Sequence, residues 1–479
     1  MGSKKERKVI IIDTNSQPWW WLLNKGLGAS FLCISLFALL VRLTVSLHPY
    51  SGAGNPPKFG DFEAQRHWME ITINLPVKEW YRNSTANDLS YWGLDYPPLT
   101  GYQSYVHGII LKSLLPESVS LFTSHGYESY LGFASSVLLK FGVLNSCEFW
   151  LIKYFMFQFN CISLGLTIGA VAAIFSNREL VASALFTLAL SHKQMSAYFA
   201  PAFFSHLLGR CLRRRNPFVE VSKLALVVMG TFAIVWWPYL QSKEALLEVL
   251  ARLAPFERGI YEDYVANFWC TTSVLIKWKK LFDTQSLKLL SLVATVSTCL
   301  PSMVQQIKYP SNKGFLFALI NSSLSFYFFS FQVHEKSILL PLLPASLLAL
   351  EETHVYKWLT HFGLVSMFPL LCRDQLVLAY IALFVLFYAI YFAPNSKNSR
   401  KIRYTTLPLM IKTLVIILSF ILHIVYLTMS PPKRYPFLFE AIIMILCFSQ
   451  FVWVAIYTNT KQWMLHKSST SIEKEKKYL

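Results

Sequence analysis

Apolar residues fall in long blocks along this chain, divided by short polar or basic stretches. The first block, Leu27 to Leu47, rises 1.5 Å per residue as a helix and is long enough to cross a hydrocarbon core of about 30 Å. It is too long for a signal-peptide core, and His48 and Pro49 follow it where a cleavage site would need small residues, so it is expected to stay as a signal anchor. Further blocks run near Leu99–Leu115, Leu131–Trp150, Ile152–Ile174, Leu180–Leu190, Ser196–Leu208, Val219–Leu240, Leu287–Met303, Phe315–Phe331, Ser337–Leu350, Leu359–Leu371, Leu376–Phe392, Leu407–Thr428 and Phe437–Tyr457. They predict an all-α polytopic membrane protein with about eleven to fourteen spanning helices. The expected layout is a tail over 1–26, a multi-pass domain over 27–457 and a second tail over 458–479. Two longer polar stretches interrupt the domain, at 48–98 and 241–283.

Composition agrees with this pattern: 54% of the residues are hydrophobic and 15% charged, with a mean hydropathy of +0.41. A soluble globular protein is excluded. The net charge of +18 would ordinarily raise nucleic acid as a partner, but cytosolic loops of membrane proteins collect Lys and Arg, and no nucleic-acid binding is expected. Lys4, Lys5, Arg7, Lys8 and Lys25 precede the first block and place the N-terminus in the cytosol, with 48–98 across the membrane. The clusters Arg210, Arg213, Arg214, Arg215 and Lys397, Arg400, Lys401, Arg403 mark further cytosolic loops. Lys476 and Lys477, near the end of the sequence, resemble a dilysine retrieval signal. If read, this places the C-terminus in the cytosol and the protein in the endoplasmic-reticulum membrane. The 8 cysteines form no CxxC pair and read as small buried hydrophobes, so neither a metal site nor a disulfide framework is expected. Twelve of the 26 acidic residues lie in the two polar stretches, which puts ionisable chemistry beside the membrane and not inside the helices.

Four clusters carry candidate chemistry. In Gly60-Asp61-Phe62-Glu63-Ala64-Gln65-Arg66-His67-Trp68-Met69-Glu70-Ile71-Thr72, Gly60 permits a turn, and a carboxylate such as Asp61, backed by Arg66 and His67, suits a general base acting on a lipid-carried polar substrate. The same residues fit Asp61 as a helix cap. In Trp92-Gly93-Leu94-Asp95-Tyr96-Pro97-Pro98-Leu99-Thr100 the two prolines hold Asp95 rigidly before a helix. Tyr91, Trp92 and Tyr96 fit either sugar stacking or an aromatic belt at headgroup level. In Phe331-Gln332-Val333-His334-Glu335-Lys336-Ser337-Ile338-Leu339, three ionisable groups sit between apolar blocks, where His334 and Lys336 suit a phosphate or simply a solvated loop with a snorkelling lysine. Arg258, with Glu262 and Asp263, offers a fourth mix of cation and acids for phosphate and sugar hydroxyls, or for surface salt bridges. A glycosylation sequon at Asn83 would be usable if 48–98 is luminal. A second, at Asn321, lies inside an apolar block and should stay unmodified.

The first three of these runs together resemble the endoplasmic-reticulum glucosyltransferases of the dolichol pathway, and Ser191-His192-Lys193-Gln194-Met195 and Pro431-Pro432-Lys433 extend the resemblance over nearly the whole chain. Ala64-Gln65-Arg66-His67 favours the branch that adds the first glucose over the branch that adds the second, which typically has Val-His-Arg-Asn there. The resemblance implies a GT-C architecture with a long first luminal loop, a dolichyl phosphate glucose donor, a nine-mannose acceptor on dolichyl pyrophosphate, and inverting transfer that forms an α-1,3 linkage. It implies Asp61 as the catalytic base. Glu63, Arg66, His67, Asp95, Tyr96, Arg258, His334 and Lys336 then become substrate-binding candidates, with no cofactor. The chain departs from its relatives after Gly126-Tyr127-Glu128-Ser129-Tyr130. It is shorter there by roughly one helix and its loop, and resumes at Lys153-Tyr154-Phe155-Met156-Phe157-Gln158-Phe159-Asn160, which keeps Gln158 and Asn160 but lacks the relatives' acid and two histidines. Either Leu131–Trp150 supplies a replacement helix, or the sequence is that of a variant or a flawed gene model with impaired activity.

Overall fold

A computed structural model describes residues 32–33, 36, 60–114, 116–123, 160–253, 264–392 and 407–477. Among them the chain is helical, with one isolated bridge between Ser84 and Asn87 and no strand. The helices are α1 (Gly60–Asn74), α2 (Pro98–Leu114), α3 (Asn160–Phe175), α4 (Glu179–His192), α5 (Ala200–Cys211), α6 (Pro217–Leu240), α7 (Lys243–Leu253), α8 (Phe268–Thr272), α9 (Trp278–Leu281), α10 (Thr284–Lys308), α11 (Asn312–Phe329), α12 (Leu339–Leu347), α13 (Thr353–Arg373), α14 (Val377–Phe392), α15 (Leu407–Thr428) and α16 (Leu438–Lys477). Short 3₁₀ turns cover Val77–Glu79, Pro116–Val119, Gln194–Phe199 and Glu335–Ile338.

Among the described residues, four helices are long and apolar enough to cross a membrane: Pro217–Leu240, Thr284–Lys308, Met410–Thr428 and Leu438–Leu465. On α6 the side chains of Phe218, Leu226 and Ile234 are largely exposed, which is unfavourable in water and natural in hydrocarbon. The helix ends follow local chemistry. Asp283 caps α10 by accepting from the Gln285 and Ser286 amides, and Ser311 caps α11 by accepting from Gly314. The predicted block Leu131–Trp150 and the start of Ile152–Ile174 lie outside the described residues, as does nearly all of Leu27–Leu47.

The main core lies where α11 packs against α10, α12, α16 and α5, with α13 on α16 and α12. A buried polar knot fastens it. Gln462 of α16 accepts from Ser302 Oγ and Asn321 Nδ2, each at 2.7 Å, and donates to Gln305 Oε1 at 2.9 Å. Thr458 donates to Asn321 Oδ1 at 2.6 Å. A second, smaller core joins Trp68, Ile71, Trp80, Tyr81 and Leu94 to Val235, Trp236 and Tyr239 of α6 and Ala245 and Val249 of α7. The 241–283 stretch therefore folds back on the 48–98 stretch. Arg82 pairs with Glu248 at 3.0 Å, and Arg252 donates to the carbonyls of Gly93 and Leu94. Gly108 lets α1 and α2 touch, because a Cβ there would stand 2.6 Å from Ile73 Cγ1.

Candidate functional site

α1 starts at Gly60, whose φ of 67° only glycine adopts without strain. Asp61 lies in its first turn. Along the helix, Glu63, Arg66 and Glu70 follow the i, i+3, i+4 spacing that puts side chains on one face, and all three are buried. Arg66 donates through Nε and Nη2 to both Glu63 oxygens at 2.7 and 2.6 Å and lies 2.7 Å from Glu70 Oε2. Its Nη1 donates to the Ser118 carbonyl at 2.8 Å. Tyr91 donates to Glu63 at 3.1 Å, and the Phe122 amide donates to Glu70 at 2.8 Å. His67 lies 3.7 Å from Glu70 and meets the Tyr91 ring edge-on. Burial alone would lower the Arg66 pKa, but Glu63 and Glu70 carry it above its ordinary value. Burial would likewise raise that of Glu70, but His67 and Arg66 hold it below the usual carboxylate range. Partial burial, then the charge of Glu63, pushes Tyr91 up to about 12.

The opposite face of α1 carries Asp61 and, seven positions on, Trp68; two helical turns bring those positions into line. Trp68 Nε1 donates to the Trp92 carbonyl at 2.9 Å, and its ring meets Tyr96 edge-on at 5.0 Å. Trp92 itself sits at a φ of 57°, a conformation that a bulky residue adopts only when its surroundings enforce it. The Tyr96 carbonyl accepts from Tyr81 at 2.6 Å.

Three consecutive residues at the C-terminal end of α4 then grip the corner that contains Asp95. His192 accepts from Thr100 Oγ1 through its carbonyl at 2.5 Å and pairs its ring with Gln103. Lys193, only 6% exposed, donates to the Tyr96 hydroxyl at 2.6 Å, and its ammonium lies 4.1 Å from the centre of that ring. Gln194 donates to the Asp95 carbonyl at 3.2 Å.

The runs containing Asp61, Asp95–Tyr96 and Ser191–Met195 thus meet in one place. In the sequence Lys193 stands only within the run Ser191–Met195 that extends the family resemblance, with no site role attached. A cation at the junction of two apolar blocks is a further signal, but its partner Tyr96 stands 97 positions away. His334 is exposed and Lys336 half-buried. His334 opens the 3₁₀ turn in extended conformation, with its carbonyl accepting from the Ser337 amide at 3.0 Å. This turn packs on α11, α12 and α13. Gln332, just before it, has a φ of 61°. Asn83 is exposed and accepts from the Leu89 amide at 3.1 Å, whereas Asn321 is buried in the polar knot. Arg258, Glu262 and Asp263 lie outside the described residues.

A family model described as the ALG6, ALG8 glycosyltransferase family matches residues 37–134 and 132–457. An Arabidopsis thaliana protein named probable dolichyl pyrophosphate Man9GlcNAc2 alpha-1,3-glucosyltransferase is 56% identical, over 98% of this chain and 95% of the relative. A Drosophila melanogaster protein of the same name is 39% identical over 91% and 98%. The Pongo abelii dolichyl pyrophosphate Man9GlcNAc2 alpha-1,3-glucosyltransferase is 36% identical over 89% and 95%. The family match divides at residues 132–134, and the Arabidopsis alignment runs over 515 positions against the 479 of this chain. Both observations fit a shortened region after Tyr130. From residues 37 to 457, the chain belongs to the ALG6, ALG8 glycosyltransferase family.

Proposed function

We propose that this protein transfers the first glucose from dolichyl phosphate glucose to the Man9GlcNAc2 oligosaccharide on dolichyl pyrophosphate, forming an α-1,3 linkage at the luminal face of the endoplasmic-reticulum membrane. Family membership and the substrate in the names of its relatives support the reaction. The observation that carries the site is the meeting of α1, through Trp68, and of the end of α4, through Lys193, at the Asp95–Tyr96 corner. The proposed architecture is GT-C, with eleven to fourteen spans by the length criterion, roughly, and two long loops that fold together.

In this reading the Asp61 carboxylate takes the proton of the attacking mannose hydroxyl while that oxygen bonds to C1 of glucose. The C1–O bond to phosphate breaks on the opposite face, which inverts β to α, and dolichyl phosphate departs as an anion without needing a general acid. His334 and Lys336, with Arg258, stabilise its charge. Asp95 and Tyr96 shape the acceptor pocket. Glu63 and Arg66 saturate one another, so their part is to hold α1, with His67 alongside, so that Asp61 stays aimed at the acceptor.

The test is purified protein with synthetic dolichyl phosphate glucose and lipid-linked Man9GlcNAc2, reading the released glycan. A gain of one hexose supports the assignment. Turnover only on an already monoglucosylated acceptor would assign the chain to the second-glucose branch instead.

A further inference from the structure

The 3₁₀ turn Gln194–Phe199 is held at both ends by residues from separate candidate clusters. At its start, His192, Lys193 and Gln194 grip Thr100, Tyr96 and Asp95. At its far end, the Tyr198 carbonyl accepts from Ser322 Oγ at 2.6 Å, and its ring packs on Phe326 at 5.0 Å. The Glu335–Ile338 turn that follows His334 packs on this same helix α11, and the Tyr198 hydroxyl lies near Ser330 and Ser337. A 3₁₀ helix rises about 2.0 Å per residue, so the five steps from Lys193 to Tyr198 span roughly 10 Å. Removing an ammonium from water is costly unless its new contacts compensate, so the burial of Lys193 on Tyr96 marks an anchorage of defined geometry.

We propose that residues 192–198 are a spacer that fixes the separation between the Asp95–Tyr96 corner and the His334–Lys336 turn, with Lys193 and Tyr198 as positioning residues at its two ends. The inference rests on the glucosyl-transfer reading, in which one end serves the acceptor and the other the departing phosphate. A spacer that slips leaves both substrates bound but misaligned. Misplacement by about 1 Å costs on the order of a hundredfold in rate. It also lets water take the place of the mannose hydroxyl: the water oxygen bonds to C1 as Asp61 takes its proton, the C1–O bond to phosphate breaks, and free glucose and dolichyl phosphate form.

The experiment uses the full chain in lipid nanodiscs with Lys193→Met, Lys193→Arg and Tyr198→Phe, measuring transferred and free glucose together with KM for donor and acceptor. Lys193→Met and Tyr198→Phe are expected to lower kcat by about tenfold or more while both KM values stay within about twofold. They should raise the ratio of free to transferred glucose by about tenfold, and Lys193→Arg should restore most of the coupling. A fall in kcat that tracks thermal stability with an unchanged ratio would overturn the spacer role. So would a rise confined to donor KM, which would make Lys193 a substrate ligand. Unmodified protein that transfers no glucose would instead overturn the function on which the spacer rests.

Discussion

Replacing Arg66 by methionine separates two roles for the charged face of α1. The substitution keeps length and apolar bulk but removes the one cation between Glu63 and Glu70, which lie 2.6 and 2.7 Å from it. It also strips the Ser118 carbonyl of its partner. Breaking a buried pair by removing one side costs about 3–5 kcal/mol, because the remaining charge is stranded. Here two carboxylates are stranded, and the unpaired carbonyl adds about 1 kcal/mol or more. Against a total stability of roughly 5–15 kcal/mol, a fall in midpoint on the order of 5 °C is expected by thermal shift in detergent. The triple change Glu63→Gln, Arg66→Met, Glu70→Gln should recover more than half of that loss, since neutral amides leave no uncompensated charge. A direct substrate ligand would behave differently: Arg66→Met would raise KM with an unchanged midpoint. That outcome, or a triple variant no more stable than the single one, would refute the brace.

The depressed Glu70 pKa sets a pH dependence with a definite sign. A carboxyl held below its unfolded value contributes stability at neutral pH, and that contribution is lost as pH falls through the folded value, which lies below 4.5. Midpoints measured between pH 7 and pH 3 should therefore fall less steeply for Glu70→Gln than for the unmodified protein, and equal slopes would contradict the assignment. Gln462→Met should destabilise by about 1–3 kcal/mol, because Ser302, Asn321 and Gln305 each lose a buried partner; a stability change under about 0.5 kcal/mol would show the knot to be dispensable. Asn83 is exposed on the 48–98 stretch, so protein from a eukaryotic host should lose mass with a glycosidase, and Asn83→Gln should abolish the shift. A shift that persists in that variant would place the glycan elsewhere.

The apolar blocks translated almost directly into helices wherever packing agreed with hydropathy. Leu407–Thr428 coincides with α15, and Val219–Leu240 falls within α6. The 241–283 stretch was less legible, because α7 is amphipathic and carries Glu244, Glu248 and Arg252, so hydropathy alone reads it as a loop. Its buried positions Ala245 and Val249 do keep the i, i+4 spacing. The charged face of α1 was half legible. The spacing of Glu63, Arg66 and Glu70 is visible in sequence, but whether they meet solvent, substrate or each other depends on Tyr91, Ser118 and Phe122, which only folding brings near. The clasp of His192–Gln194 on Asp95–Thr100 joins residues some ninety positions apart, and no local pattern announces it.

Asp61 is the proposed base of the glucosyl transfer. Its most direct test is a single-turnover measurement with donor and acceptor bound to excess enzyme, comparing the unmodified protein with Asp61→Asn. The amide cannot accept the hydroxyl proton, so transfer should fall at least about a hundredfold, within the usual range for loss of a general base, while donor binding stays within about twofold. Transfer by Asp61→Asn at the unmodified rate would contradict the account.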